Sequence, residues 1–163
     1  AQDDQRLDPL LPVRGGVDAR LSAKAEVLGV WVGGEGVTGG KGGTSIAIGR
    51  EALKACPVRE LELGGEPVVV FYDAKRDMAM AYLRRLDGRV LSFDLAEHGD
   101  AVAADRETGR LWDVTGVSRD DGEVSHLRPV AHAIDRVRWF AWAHFHPTTA
   151  IGGDQGRVEL EAR

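Results

Sequence analysis

Turn signals punctuate the middle of this chain at short intervals, and each joins two β-prone runs. Gly64-Gly65 stands between Val58–Leu63 and Val68-Val69-Val70-Phe71-Tyr72. Asp87-Gly88 stands between Met78–Arg85 and Val90-Leu91-Ser92-Phe93. Glu107-Thr108-Gly109 leads from Ala101–Ala104 into Leu111-Trp112-Asp113-Val114. Asp-Gly supplies the positive φ angles that a tight hairpin turn needs, and Gly-Gly serves the same end. Hairpins following one another this closely point away from alternating βαβ units. The expected fold is α+β and mainly β: a curled antiparallel sheet or partial barrel of hairpins, with one or two short helices packed on it.

The flanking segments read less uniformly. Val27, Leu28, Val30, Trp31 and Val32 make Glu26–Val32 a strand. Gly33–Gly43 holds seven glycines in eleven positions and reads as loop, because such a run loses too much backbone entropy in a helix or central strand. Glu51–Ala55 reads as a short helix stopped by Pro57. Val124–Val130 reads as a strand. Asp135 is placed to cap a helix running to about His144, with Pro147 enforcing its end. Trp139, Phe140, Trp142 and Ala143 would then face the sheet. At 163 residues there is room for one ordinary domain. The expected division is an extended arm over 1–24, a single β-rich domain over 25–153 and a charged tail over 154–163.

Composition excludes several classes of function. No stretch approaches the roughly 18 apolar residues of a membrane span, so no direct span is expected. A net charge of -5 argues against nucleic acid as a partner, since a general binder shows a basic face. The single cysteine, Cys56, excludes an internal disulfide framework and a cysteine zinc site. Its expected role is that of a small buried core residue. The opening Ala1-Gln2-Asp3-Asp4 fits a mature end left by signal-peptide cleavage, which implies a periplasmic or extracellular protein.

Three constellations invite a chemical reading. Gly34-Glu35-Gly36-Val37-Thr38-Gly39 fits G-x-G-x-x-G, but Gly40, Lys41, Gly42 and Gly43 follow where a phosphate-binding helix must begin. The run suits a surface loop ordered by a partner, with Gly36, Gly39, Lys41 and the adjacent Trp31 as candidate contacts. His144-Phe145-His146, with His132, suggests a metal site. Residues two apart on a helix point about 200° apart, so the plainer expectation is one histidine at the helix end and another packed. No metal and no cofactor is expected. Asp94, His98, Asp100 and Asp105 form the richest polar cluster, in which carboxylates beside an imidazole can hold a cation or share a proton. Turn geometry alone also explains aspartates there. The tryptophans Trp31, Trp112, Trp139 and Trp142 are expected in the core, with an exposed aromatic patch as the alternative.

From about Val27 to Gly153 the chain resembles a bacterial family catalogued as domain of unknown function 3179. The resemblance rests on Val27-Leu28-Gly29-Val30 with Gly33-Gly34-Glu35, on Gly64-Gly65-Glu66-Pro67-Val68-Val69-Val70, and on Asp87 to Phe93. It continues through Asp105-Arg106-Glu107-Thr108-Gly109-Arg110-Leu111-Trp112, then Trp139, Trp142 and His146-Pro147-Thr148-Thr149. The family commonly carries a Cys-Pro-x-Cys run after the central strand's tyrosine. Here Tyr72 is followed by Asp73, Ala74, Lys75 and Arg76, so thiol redox or soft-metal chemistry at that place would be lost. The family's Asn-Ser-Asp segment corresponds to His98-Gly99-Asp100, which keeps only the acid. The resemblance implies an extracytoplasmic bacterial domain and supplies no activity.

Two functional expectations follow. The first is a non-catalytic exported accessory or structural subunit, with a protein partner or assembly as its counterpart. The second is a small hydrolytic enzyme or cation-binding protein using a polar site of Asp73, His98, Asp100 and His146, in which a hard carboxylate oxygen stands where the family has a soft thiolate. A weaker third is a small-molecule binder that uses the tryptophans.

Overall fold

The computed structural model describes residues 21–33, 43–120 and 122–152, and the backbone of 157–160. The first half holds β1 (Glu26–Val32), β2 (Thr44–Gly49), α1 (Arg50–Ala55), β3 (Val58–Leu63), β4 (Glu66–Asp73), β5 (Met78–Leu83), β6 (Arg85–Leu86) and β7 (Arg89–Val90). The second holds β8 (Phe93–His98), β9 (Ala101–Asp105), β10 (Leu111–Asp113), β11 (Val117–Asp120), β12 (Glu123–His126), β13 (His132–Arg138), α2 (Trp139–Phe145), β14 (Ala150–Gly152) and β15 (Arg157–Leu160). The fold is mainly β, with curled sheets and no closed barrel among the described residues.

The hairpin turns form where the sequence places them. Gly64 and Gly65 take φ of 59° and 80°, and Asp87 and Gly88 take 50° and 77°. Each pair closes a two-residue turn, β3 to β4 and β6 to β7. β9 and β10 pair antiparallel across the Glu107-Thr108-Gly109 turn.

Two four-stranded sheets carry the structure, ordered β13-β1-β2-β14 and β15-β3-β4-β5. Their edge pairs β14–β2 and β15–β3 are parallel, and the other pairs within them are antiparallel. A third sheet, β10-β9-β8, lies against the far side of β4. Side chains alternate across a strand, so a strand covered on both faces reads as a continuous apolar run. β4 is that case. Val68, Val70 and Tyr72 meet Leu28, Val30, Ile46 and Ile48 in one core. Val69 and Phe71 meet Phe93, Val102 and Trp112 in a second. β1 behaves likewise, turning Val27 and Trp31 into a third core with Ala47, Trp139, Trp142 and Ala143.

Three local expectations change. Asp135 caps no helix: it lies in β13, paired with β1, and α2 starts four residues later at Trp139. Its carboxylate accepts the Arg50 guanidinium at 2.5 Å and the Ala79 N–H at 3.0 Å, which ties β13 to α1 and β5. A part-buried ion pair and a strand pairing outweigh one cap. The Val124–Val130 strand divides: β12 ends at His126, and 128–130 hydrogen-bonds to β5 through Leu83, Ala81 and the Tyr82–Pro129 bridge. Cys56 is half-buried at the end of α1, its thiol donating to the Val58 carbonyl.

Candidate functional site

The Asp73 carboxylate closes the turn after β4. It accepts the backbone N–H of Lys75 at 2.9 Å and of Arg76 at 3.3 Å, and the Arg76 guanidinium at 2.7 Å. Burial by itself would raise the Asp73 pKa; the Arg76 side chain and the two amides outweigh it and hold the carboxyl below its usual range. The second arm of the guanidinium reaches the exposed Asp100 at 3.1 Å. Lys75 Nζ donates to the Gly99 carbonyl at 3.3 Å, so the two loops are clasped twice. The cleft between them has a volume of about 360 Å³ and is lined by Tyr72, Asp73, Arg76, Leu95, Glu97 and Asp100.

The four positions after Tyr72 therefore begin and end on an ion pair between Asp73 and Arg76. This brings Asp73 and Asp100 together, but through a cation rather than as two free carboxylates. His98 is exposed on β8 and does not line the cleft. Among the described residues no three of His, Cys, Asp and Glu converge. Asp94 forms a surface pair with Arg106. Asp105 is buried and accepts Thr108 and the Trp112 indole N–H, so it shapes a turn.

His146 lies apart from the cleft, in an aromatic groove. α2 and β13 form its walls, and β1 forms its floor. Its volume is about 570 Å³, and Trp31, His132, Ile134, Trp142, Phe145 and His146 line it. His146 is the residue that ends α2, and its ring stacks on Trp142 at 4.0 Å. His132 leans on Trp31 at 4.5 Å, and the His146 ring lies 6.3 Å from the same indole. Burial, then the neighbouring His132, push the His146 pKa below its ordinary value. The Nδ1 of His146 and the indole N–H of Trp31 are buried and have no hydrogen-bond partner among the described residues.

Small residues and a buried threonine make this packing possible. A Cβ on Gly29 would run into the Trp142 ring, and one on Gly33 into the Trp31 ring. Trp142 donates its indole N–H to Thr149 Oγ1 at 3.0 Å, and Thr149 is itself buried. Thus the Trp-x-x-Trp and His-Pro-Thr-Thr segments build one wall. Phe145 and Ile134 stand at the rim, 64% and 54% exposed, well outside what core packing explains.

Of the contacts expected for a partner, Trp31 is part of this groove, while Gly36, Gly39 and Lys41 lie outside the described residues. Sequence reasoning missed Arg76, although its spacing from Asp73 suits a turn-closing pair. It also missed Ile134 and Phe145, because the segment reads as one helix rather than a strand followed by a short helix. His144 is exposed and edge-on to Phe145, away from the stacked His146.

No described helix is long and apolar enough to cross a membrane. No curated protein and no solved structure matches the chain. A family model described as "Protein of unknown function (DUF3179)" matches residues 2–149, so it takes in both the cleft and the groove as well as residues 2–24. With residues 2–149 of the 163 matched, the protein belongs to the DUF3179 family.

Proposed function

We propose that the protein is a non-catalytic accessory subunit of a larger extracytoplasmic assembly, and that the aromatic groove is its working surface. The observation that carries this is the groove's construction. A floor of buried tryptophan is framed by an exposed phenylalanine and isoleucine, an arrangement that buries apolar area only when something occupies it. The extracytoplasmic part of the reading rests on the family resemblance alone.

The polar cleft supports an enzyme or cation site less well. Arg76 already neutralises Asp73 and engages Asp100, so a cation would have to displace a guanidinium from a buried carboxylate. A small-molecule binder that uses the tryptophans is the second reading, favoured by the groove's volume, which falls in the range of ligand pockets.

Native mass spectrometry on protein gently purified from its own source tests the assembly. Additional chains bound to the wild type and lost from Phe145→Ser support it. A monomer that stays bare, with no chain cross-linked near Phe145, rules it out.

A further inference from the structure

The aromatic groove lies beside the point where the described chain begins. Leu21 and Ala25 are partly buried against the core of Trp31, Trp139 and Trp142. The Ala25 carbonyl accepts the Trp139 N–H at 2.8 Å, and the Ala23 carbonyl accepts the Phe140 N–H at 3.1 Å. The segment before β1 therefore holds the first turn of α2, and the next two residues, Ala141 and Trp142, already line the groove. Ahead of Leu21, outside the described residues, the sequence carries Leu7-Asp8-Pro9-Leu10-Leu11-Pro12-Val13. The family match begins at residue 2, so the family's domain includes this run.

The run suits the groove chemically. Pro9–Val13 carries no charge, and no carboxylate, lysine or arginine lines the groove. Proline has no N–H to leave unpaired, and its φ is fixed beforehand, so such a run gives up little hydrogen bonding or entropy on entering an apolar site. Aromatic-lined grooves recognise proline-containing runs for that reason. Its reach is also sufficient. Val13 stands eight residues before Leu21. That many extended residues span up to about 26 Å, whereas α2 is about 10 Å long. The tether can reach the far end of the groove at Phe145, and it holds the run at an effective concentration on the order of millimolar.

We propose that the groove is occupied by the chain's own N-terminal arm, with Pro9–Val13 laid across Trp142, Phe145 and Ile134. This goes beyond the reading of the groove as a partner surface and stands without it. The arm covers the exposed phenylalanine when the chain is alone, and a partner that uses the groove has to displace it. A second copy competes poorly, because in dilute solution its arm is far less concentrated than the tethered one.

Hydroxyl-radical footprinting of the full chain, read by peptide mass spectrometry, measures how far Phe145 and Ile134 are covered. In Leu10→Ser/Leu11→Ser both should oxidise about threefold or more faster than in wild type, the ratio expected when a millimolar effective concentration exceeds Kd by a small factor. Val124, 55% exposed on β12 and no part of the groove, should oxidise at the same rate in both proteins. The substitutions leave the described core untouched, so the circular dichroism should not change. Replacing Leu10 by benzoylphenylalanine gives a second readout: on illumination it should cross-link, at the monomer mass, to a peptide that holds Phe145 or Ile134. Equal oxidation of Phe145 and Ile134 in wild type and variant, a rise shared by Val124, or cross-links only outside the groove overturns the proposal. A cross-linked dimer, with protection that falls on dilution, gives the groove to a second copy and overturns it as well. If the variant uncovers Phe145 and native mass spectrometry finds no additional chain, the arm stands and the assembly falls. If oxidation is equal but a partner chain is lost from Phe145→Ser, the arm falls and the assembly stands.

Discussion

The guanidinium of Arg76 sits 2.7 Å from the carboxylate of Asp73, three residues before it, and with its other arm holds Asp100 across the cleft. One cation thus serves a buried carboxylate and an exposed one. The turn between β4 and β5 is fixed by this pair together with the two amides that Asp73 accepts.

Removing Arg76 leaves Asp73 with burial, which disfavours its charge, and with only the amide hydrogen bonds against it. In Arg76→Ala the Asp73 pKa is expected to rise, read by carboxyl NMR titration. The sign for stability follows. The folded-state pKa of Asp73 lies below the model-peptide 3.8, so its contribution is complete above that value and is lost as pH falls through the folded pKa. Arg76→Ala should flatten the stability–pH curve below about pH 4 relative to wild type. An unchanged slope would mean that the pair contributes nothing.

His146 works in the opposite pH range with its own sign. Its folded pKa is depressed below 6.5 by burial and by His132, so the unfolded chain takes up the proton more readily. Stability should therefore begin to fall as pH drops through 6.5 and level off below the folded pKa. Urea unfolding at a series of pH values measures this, and His146→Gln should remove that part of the slope.

Gly29 and Gly49 make a matched pair for testing how the groove is built. A Cβ at Gly29 meets the Trp142 ring, whereas nothing lies within 4 Å of one at Gly49, the residue before α1. Gly29→Ala should cost about 1–3 kcal/mol, the usual price of overpacking, and change the Trp142 fluorescence. Gly49→Ser should be neutral or stabilise by a few tenths of a kcal/mol, because serine is a good N-cap. Equal effects of the two would show that Trp142 yields freely.

The hairpin turns were legible because each is encoded locally by two glycines or Asp-Gly, but the Asp87-Gly88 hairpin pairs only two residues a side, since β5 (Met78–Leu83) pairs with β4 instead. β4 was legible as a strand, and its uninterrupted apolar run follows from layers covering both faces. The cleft was half legible. Asp73 stood out as the replacement for a thiol, but its neutralisation by Arg76 needed the turn's geometry. The groove was not legible, since Trp31, His132 and His146 are brought together by pairing of β1 with β13, a contact between residues about a hundred positions apart. Long separation also hid Asp135, whose partners Arg50 and Ala79 stand 85 and 56 positions away.

Asp135 offers the clearest test of that long-range architecture. As a helix cap its loss would cost about 1 kcal/mol and would affect α2 alone. As found, it pairs with Arg50, which also contacts Asp77, and accepts the Ala79 N–H, so Asp135→Ala takes one of two carboxylates from the guanidinium and leaves the amide without its acceptor. The expected loss is about 1–3 kcal/mol, the cost of an amide left without its acceptor, since Arg50 keeps Asp77. Hydrogen exchange locates the damage: faster exchange at Ala79 and along β13, with α2 little changed, is the outcome this packing requires. Faster exchange confined to α2, with a small loss of stability, would return Asp135 to the role of a cap.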